Sequence, residues 1–175
     1  MDQVFGLGAP PEDGPHLPVG CVPYLPCSVD ALLRLTEHAP VRASELFVDV
    51  GSGVGRASAL VHLLTGAQAV GVEVQPALVA AARLLAARLR LSSVWFVEAD
   101  AVRPSEVWSA GSVFLLYCPF SGDRLAKLLA NLEPVAHVRP IRLCCVDLPL
   151  PPCSWLEQMP PSSLDLTIYR TTFAR

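Results

Sequence analysis

Leu46-Phe-Val-Asp-Val-Gly-Ser-Gly-Val-Gly-Arg56 is an apolar run that ends in an acid and a glycine-rich turn. Leu46 to Val50 is short, apolar on both sides of the pleat and bounded by turn residues, as a parallel strand covered on both faces should be. Gly51, Gly53 and Gly55 follow as G-x-G-x-G. Glycine tolerates positive φ and lets the backbone approach a neighbour closely. Arg56 to Leu64 is predicted as a helix whose N-terminus faces the loop, with Thr65 and Gly66 as its stop. A second apolar run, Ala69-Val-Gly-Val-Glu-Val74, carries its own acid, Glu73. Together these pieces describe a βαβ unit that cradles a nucleoside-like ligand between two strand ends.

The surroundings of the glycines select the ligand. Glu73 stands about 20 residues beyond them, where a dinucleotide-binding unit places a carboxylate for ribose hydroxyls. That unit reads G-x-G-x-x-G and sets a pyrophosphate on the helix N-terminus. Here the third glycine arrives one residue early, and Asp49 stands just before the loop. A carboxylate beside a pyrophosphate is repulsive, whereas beside an ammonium and a sulfonium it is favourable. S-adenosylmethionine carries both. A nicotinamide oxidoreductase is the disfavoured alternative, and a purely structural loop the bland one.

Further elements extend the unit. Gln75-Pro76 opens a helix with proline in its first turn, running to about Arg90, with Leu78, Ala82, Leu85 and Leu89 on one face. Val94 to Asp100 is a third strand ending in an acid, and Ser112 to Phe120 a fourth that empties into an aromatic turn. Asp123 to Leu132 is amphipathic, its leucine stripe suited to covering a sheet. Ile141 to Asp147 and Leu164 to Phe173 read as the last strands. Only the proline-rich residues 148–163 separate them, too few for a regular helix and another strand. The expected fold is α/β: a doubly wound, mostly parallel Rossmann-like sheet, shortened at its C-terminal end, with an antiparallel last strand beside the fifth.

Proline marks the boundaries. Residues 1–20, with Pro10, Pro11, Pro15 and Pro18, read as a flexible arm, and 21–175 as one domain. Within it, 21–40 holds an extended Pro23-Tyr-Leu-Pro26 segment and a helix from Ser28 to His38, and 46–175 the core. A length of 175 residues suits one domain with a substantial core. The chain is 52% hydrophobic, yet no apolar run reaches the ~18 residues a membrane helix needs. With no basic segment leading a hydrophobic signal core, a cytoplasmic location is expected. The net charge of -3, without a basic cluster, argues against tight nucleic-acid binding. The six cysteines form no C-x-x-C pair and the four histidines are scattered, so neither a metal site nor a disulfide framework is expected. Cys144 and Cys145 should point to opposite faces of a strand as small apolar residues.

From Pro23 to Phe120 the chain resembles a group of small class I methyltransferases. The resemblance rests on Pro23-Tyr24-Leu25-Pro26, on Asp49 to Arg56 as Asp-x-Gly-Ser-Gly-x-Gly-Arg, and on Gly71-Val72-Glu73. The group includes protein-lysine methyltransferases acting on the ATP-synthase c subunit, and the glycine motif is also similar to that of histone-lysine methyltransferases without a SET domain. The membrane anchor of the mitochondrial members is not expected here. The resemblance implies S-adenosyl-L-methionine as cofactor, bound by Asp49, Gly51, Ser52, Gly53, Gly55 and Glu73. It further implies Asp100 and Ala101 at the adenine, with Tyr24 in a lid and Tyr117 beside them. For Asp100, capping of the next short helix stays open.

Methyl transfer from a sulfonium is an in-line displacement, and positioning can supply ~7–11 kcal/mol of the barrier reduction. Tyr117-Cys-Pro-Phe120 occupies the place where amino-methylating relatives carry Asn/Asp-Pro-Pro-Tyr/Phe. Pro119 would present backbone carbonyls to an amine, and the ring of Tyr117 or Phe120 would face a cation. Ordinary strand-end packing is the alternative for Phe120. Glu98, Asp100, Asp123 and Asp147 are acids near strand ends, and none has the signature of a general base. The expected acceptor is a protein lysine or small amine, with a non-catalytic cofactor-binding module as the alternative. Because a strand-end acid contributes little to a core, loss of Glu73 is expected to leave the fold intact.

Overall fold

Short apolar strands alternating with helical spacings fold as a doubly wound sheet. The computed structural model describes residues 2–15, 17–103, 105–160 and 165–172, with backbone only at 2 and 3. A helical turn α1 (Asp2–Phe5) and helix α2 (Val29–His38) precede β1 (Leu46–Val50), α3 (Arg56–Thr65), β2 (Gln68–Glu73) and α4 (Pro76–Arg88). Next come β3 (Val94–Glu98), α5 (Glu106–Ala110), β4 (Val113–Tyr117) and α6 (Gly122–Val138). β5 (Arg142–Val146) then leads to a hairpin of β6 (Leu156–Met159) and β7 (Leu166–Thr171). The strand order is β3-β2-β1-β4-β5-β7-β6. β3 to β5 are parallel, and β7 is antiparallel to both β5 and β6.

Each central strand feeds two cores because successive side chains leave opposite faces of the pleat. Phe47, Val113, Leu115 and Cys144 join Leu32, Leu35, Val61 and Leu85 on one face. Val48, Phe114, Leu116 and Cys145 join Trp108, Leu128 and Leu132 on the other. Cys144 and Cys145 thus diverge as expected. Each fully buried leucine or phenylalanine contributes about 1.5–3 kcal/mol. The α6 stripe of Leu125, Leu128, Leu129 and Leu132 is buried over the sheet. Among the described residues no helix is long and apolar enough to cross a membrane.

The shortening at the C-terminal end takes a different form from the one expected. The sheet keeps seven strands, because β6 pairs along β7. What is saved is a helix: residues 147–155 run from β5 to β6 as loop and turn. An extended, proline-rich chain advances ~3.1 Å per residue against ~1.5 Å in a helix, so few residues return the chain along the sheet. The last strand ends at Thr171, and the expected ends at Leu164 and Phe173 lie outside the described residues.

Residues of the proline-rich arm lie against the domain rather than away from it. Phe5 is buried in the first core with Leu7 beside it, and Arg88 donates to the Gly6 carbonyl at 2.7 Å. The two apolar residues outweigh the composition around them. Helix α4 stops before the expected Arg90, which takes a left-handed φ of 56°. Arg90 N–H bonds the Ala87 carbonyl at 3.1 Å and Leu91 N–H that of Ala86 at 2.9 Å, a Schellman closure without glycine.

Candidate active site

Adjacent parallel strands whose connections leave in opposite directions open a crevice at their carboxyl ends. Here β1 lies between β2 and β4, and the crevice falls above the glycine loop. Gly51 and Ser52 donate their N–H groups to the Val72 carbonyl at 2.8 and 3.2 Å. Gly53 N–H reaches Glu73 Oε2 at 2.9 Å, while Glu73 Oε1 accepts from Val74 and Gln75 N–H at 2.8 and 2.9 Å. Glu73 is thus a scaffold for the loop, and its loss would strand three loop donors, two of them buried. That corrects the expectation that it matters little to the fold.

The glycines differ in purpose. Gly53, at φ 52°, passes beneath the Tyr24 ring so closely that a Cβ would lie 2.1 Å from Cε2. A Cβ at Gly51 would lie 2.9 Å from that of Pro119. Gly51 therefore lines the crevice, and Gly53 seats the Tyr24 ring that walls it. Gly55 starts α3 and packs against Phe96.

The crevice has two chambers, with Tyr24, Leu25, Gly51 and Tyr117 common to both. The larger, about 630 Å³, runs past Glu73, Asp100, Ala101, Pro119 and Phe120. The smaller, about 310 Å³, holds Asp49, Ser52 and Arg56. Asp49 is 4% exposed and accepts from Ser58 Oγ at 3.0 Å. Burial pushes its carboxyl up to about 7; the Ser58 hydrogen bonds pull it down, and the charge of Glu73 adds to the rise. Ser52 Oγ is buried with no hydrogen-bond partner among the described residues.

At the far end of the larger chamber Asp100 is paired with Arg124, and its Oδ1 also accepts from Val102 N–H at 3.2 Å. The carboxylate therefore makes the local turn and still lines the crevice. Arg124 lies 5.4 Å from the centroid of the Phe120 ring, so that ring already holds a cation of the chain itself. Phe120 is 4% exposed, and the packing reading accounts for it. The Pro119 carbonyl accepts from Val22 N–H at 3.2 Å, which fills one of its two acceptor positions. Tyr117 remains as the wall common to both chambers, its phenol pushed up by burial and then by the charges of Cys27, Asp147 and Cys118.

Residues 13–15 and 17–25 strap the opening. Asp13 Oδ1 accepts from Tyr24 N–H at 2.9 Å and from Gln75 Nε2 at 2.7 Å, and Gln75 Oε1 accepts from Gly14 N–H at 2.7 Å. Cys21 bridges Phe120 in antiparallel fashion. The cover expected of Pro23–Pro26 thus begins earlier in the chain.

With this geometry in place, comparison with solved structures becomes informative. No family model matches the sequence, and no curated protein sequence matches it. An RNA methyltransferase from Salinibacter ruber, in complex with S-adenosyl-L-homocysteine, is similar with a TM-score of 0.60 at 23% identity, over 84% of this chain and 92% of that one. A structure concerning conversion of a disulfide bond into a thioacetal group during echinomycin biosynthesis gives 0.65 at 16% identity, over 81% and 80%. Geranyl diphosphate C-methyltransferase from Streptomyces coelicolor A3(2) gives 0.57 at 18%, over 67% of this chain and 45% of that one. The fold is the Rossmann-like methyltransferase fold.

Sequence reading missed Arg124, Gln75 and Asp13. Arg124 had left a signal. It is a cation in the first turn of α6, where the helix dipole disfavours positive charge, so some other group has to hold it there. Cys118 and Asp147 were also missed as strained positions, with φ of 40° and 50°. Asp147 is of a residue type enriched at left-handed positions, whereas nothing local marks Cys118.

Proposed function

We propose that the chain is an S-adenosylmethionine-dependent methyltransferase that methylates a nitrogen of a protein lysine or small amine. One observation carries the cofactor: the loop N–H groups of Gly51, Ser52 and Gly53 are spent on Val72 and Glu73. A pyrophosphate needs such donors, so a dinucleotide is poorly served. A cationic amino-acid end beside Asp49 and a nucleoside along Glu73 and Asp100 are served well. The unpartnered Ser52 hydroxyl and the two-chamber shape fit a ligand with a polar tail and a flat base.

When bound, the cofactor supplies an electrophilic methyl group. Transfer to an uncharged amine forms the N–C bond from the nitrogen lone pair, breaks the S–C bond and releases one proton. This chain's residues contribute placement. Tyr24 and Gly51 confine the reacting region between the chambers, and Tyr117 walls it. Cys118 donates its thiol hydrogen to the Asp147 carbonyl at 2.8 Å, tying the end of β4 to that of β5. The exposed Asp147 carboxylate is close enough for its charge to act on Tyr117 and Cys118, and there it would favour approach of a cationic amine.

A second reading, a cofactor-binding module without catalysis, draws support from the partly occupied Pro119 carbonyl and the buried Phe120. A transfer screen with methyl-labelled cofactor against protein and metabolite extracts separates the two. N-methylated product is the expected result. Label on oxygen, carbon or sulfur would contradict the amine acceptor, and no transfer by folded, cofactor-loaded protein would favour the module.

A further inference from the structure

We propose that Arg124 is the positioning residue for base recognition: it fixes the Asp100 carboxylate so that one oxygen is held and the other reads the exocyclic amino group of adenine. The inference rests on the cleft being an S-adenosylmethionine site.

Both hydrogen bonds to Asp100 fall on Oδ1, from Arg124 and from Val102 N–H. Oδ2 has no other partner among the described residues, and Asp100 lines the large chamber. A carboxylate pinned through one oxygen cannot turn freely. Its second oxygen is then a fixed acceptor, which suits an amino group and repels a carbonyl. The pair is largely withdrawn from water, with side-chain exposures of 17% for Arg124 and 22% for Asp100.

Arg124 is itself held from three sides. Its guanidinium lies over Phe120, its Cγ and Cδ pack where Gly20 has no side chain, and it faces the Cys21 sulfur as a donor. A planar cation confined in this way orients a carboxylate better than a mobile lysine does. The sequence offers no competing reason for a cation in the first turn of α6, where the dipole opposes it.

The test compares S-adenosylhomocysteine with S-inosylhomocysteine, in which the amino group is replaced by a carbonyl oxygen, by calorimetry on the full chain. Wild-type protein should prefer the adenosyl ligand by at least about tenfold, the scale of one charge-assisted hydrogen bond. Arg124→Met keeps the apolar stem and removes the fork; its preference should fall to within about threefold. Arg124→Lys should recover part of the preference, and Asp100→Asn, able to donate, should shift it toward the inosyl ligand. Arg124→Gln replaces the methionine variant if that one does not fold. A wild-type ratio retained by Arg124→Met or Arg124→Gln, with both ligands weakened equally, overturns the proposal. So does an unchanged ratio in Asp100→Asn. Failure of wild-type protein to bind either ligand overturns the cofactor reading along with it.

Discussion

The two ends of the cleft are held in place by different means. At the β1–β2 end the loop is fixed by backbone donors on Val72 and Glu73, and left-handed positions go to glycine, where they cost little. Directly after β4 and β5 the left-handed positions fall to Cys118 and Asp147, with glycine only later at Gly122, and a thiol bonded to a carbonyl ties the strands together. Such residues cost about 1–3 kcal/mol each and cluster where geometry serves chemistry. The contrast separates a relaxed end of the cleft from a strained one, and the proposed transfer reading assigns the acceptor to the strained end.

The contrast breaks most visibly at Glu73. Glu73→Ala strands three loop N–H donors, two of them buried, at roughly 1–3 kcal/mol for a lost partner, so a stability loss of about 3 kcal/mol or more is expected in denaturant melts. A midpoint near wild type would mean that water replaces the carboxylate and that the loop is not held as described. Gly53→Ala comes next. Its left-handed φ and the displaced Tyr24 ring together should cost about 1–3 kcal/mol and weaken cofactor binding more than Gly55→Ala does. Equal affinity in the two variants would remove Tyr24 from the site.

Asp49 sharpens the relaxed end through pH. Its folded pKa, raised to about 7, lies above its ordinary 3.8. The stability it contributes is therefore complete below the lower value and lost as pH rises through the upper one. A cofactor ammonium favours the ionised form, so binding below about pH 7 should release a proton. Calorimetry in buffers of different ionisation enthalpy reads this directly, and Asp49→Asn should abolish it. Proton release unchanged in that variant would assign it elsewhere. The smallest effect on stability is expected for Cys118→Gly. Relief of the left-handed strain offsets the lost thiol bond and the added unfolded-state freedom, leaving a net change under about 1 kcal/mol. Turnover should nevertheless fall about tenfold or more as alignment is lost. Wild-type turnover in a stable Cys118→Gly protein would mean that the strain has no part in transfer.

Legibility in the sequence follows the same division. The β1–α3–β2 unit could be read because its signals are local: an apolar run, glycines, then an acid. Glu73 was found for that reason, although its bonds to the loop were not foreseen. The Asp100–Arg124 pair joins residues far apart in the chain, and only the packing of α6 against β3's end brings them together. The contacts of the first residues were not legible because prolines dominate their composition, while Phe5 and Leu7 pack against the core. The sheet's seventh strand was missed because residues 148–163 were counted as a helix would use them, not as an extended chain does.

Cofactor identity is best tested by titrating the full chain with S-adenosylhomocysteine and, separately, with NAD. Spent loop donors and acids at both strand ends lead to saturable binding of S-adenosylhomocysteine, one per chain, with little or none of NAD. Saturable NAD binding with no response to S-adenosylhomocysteine would contradict it.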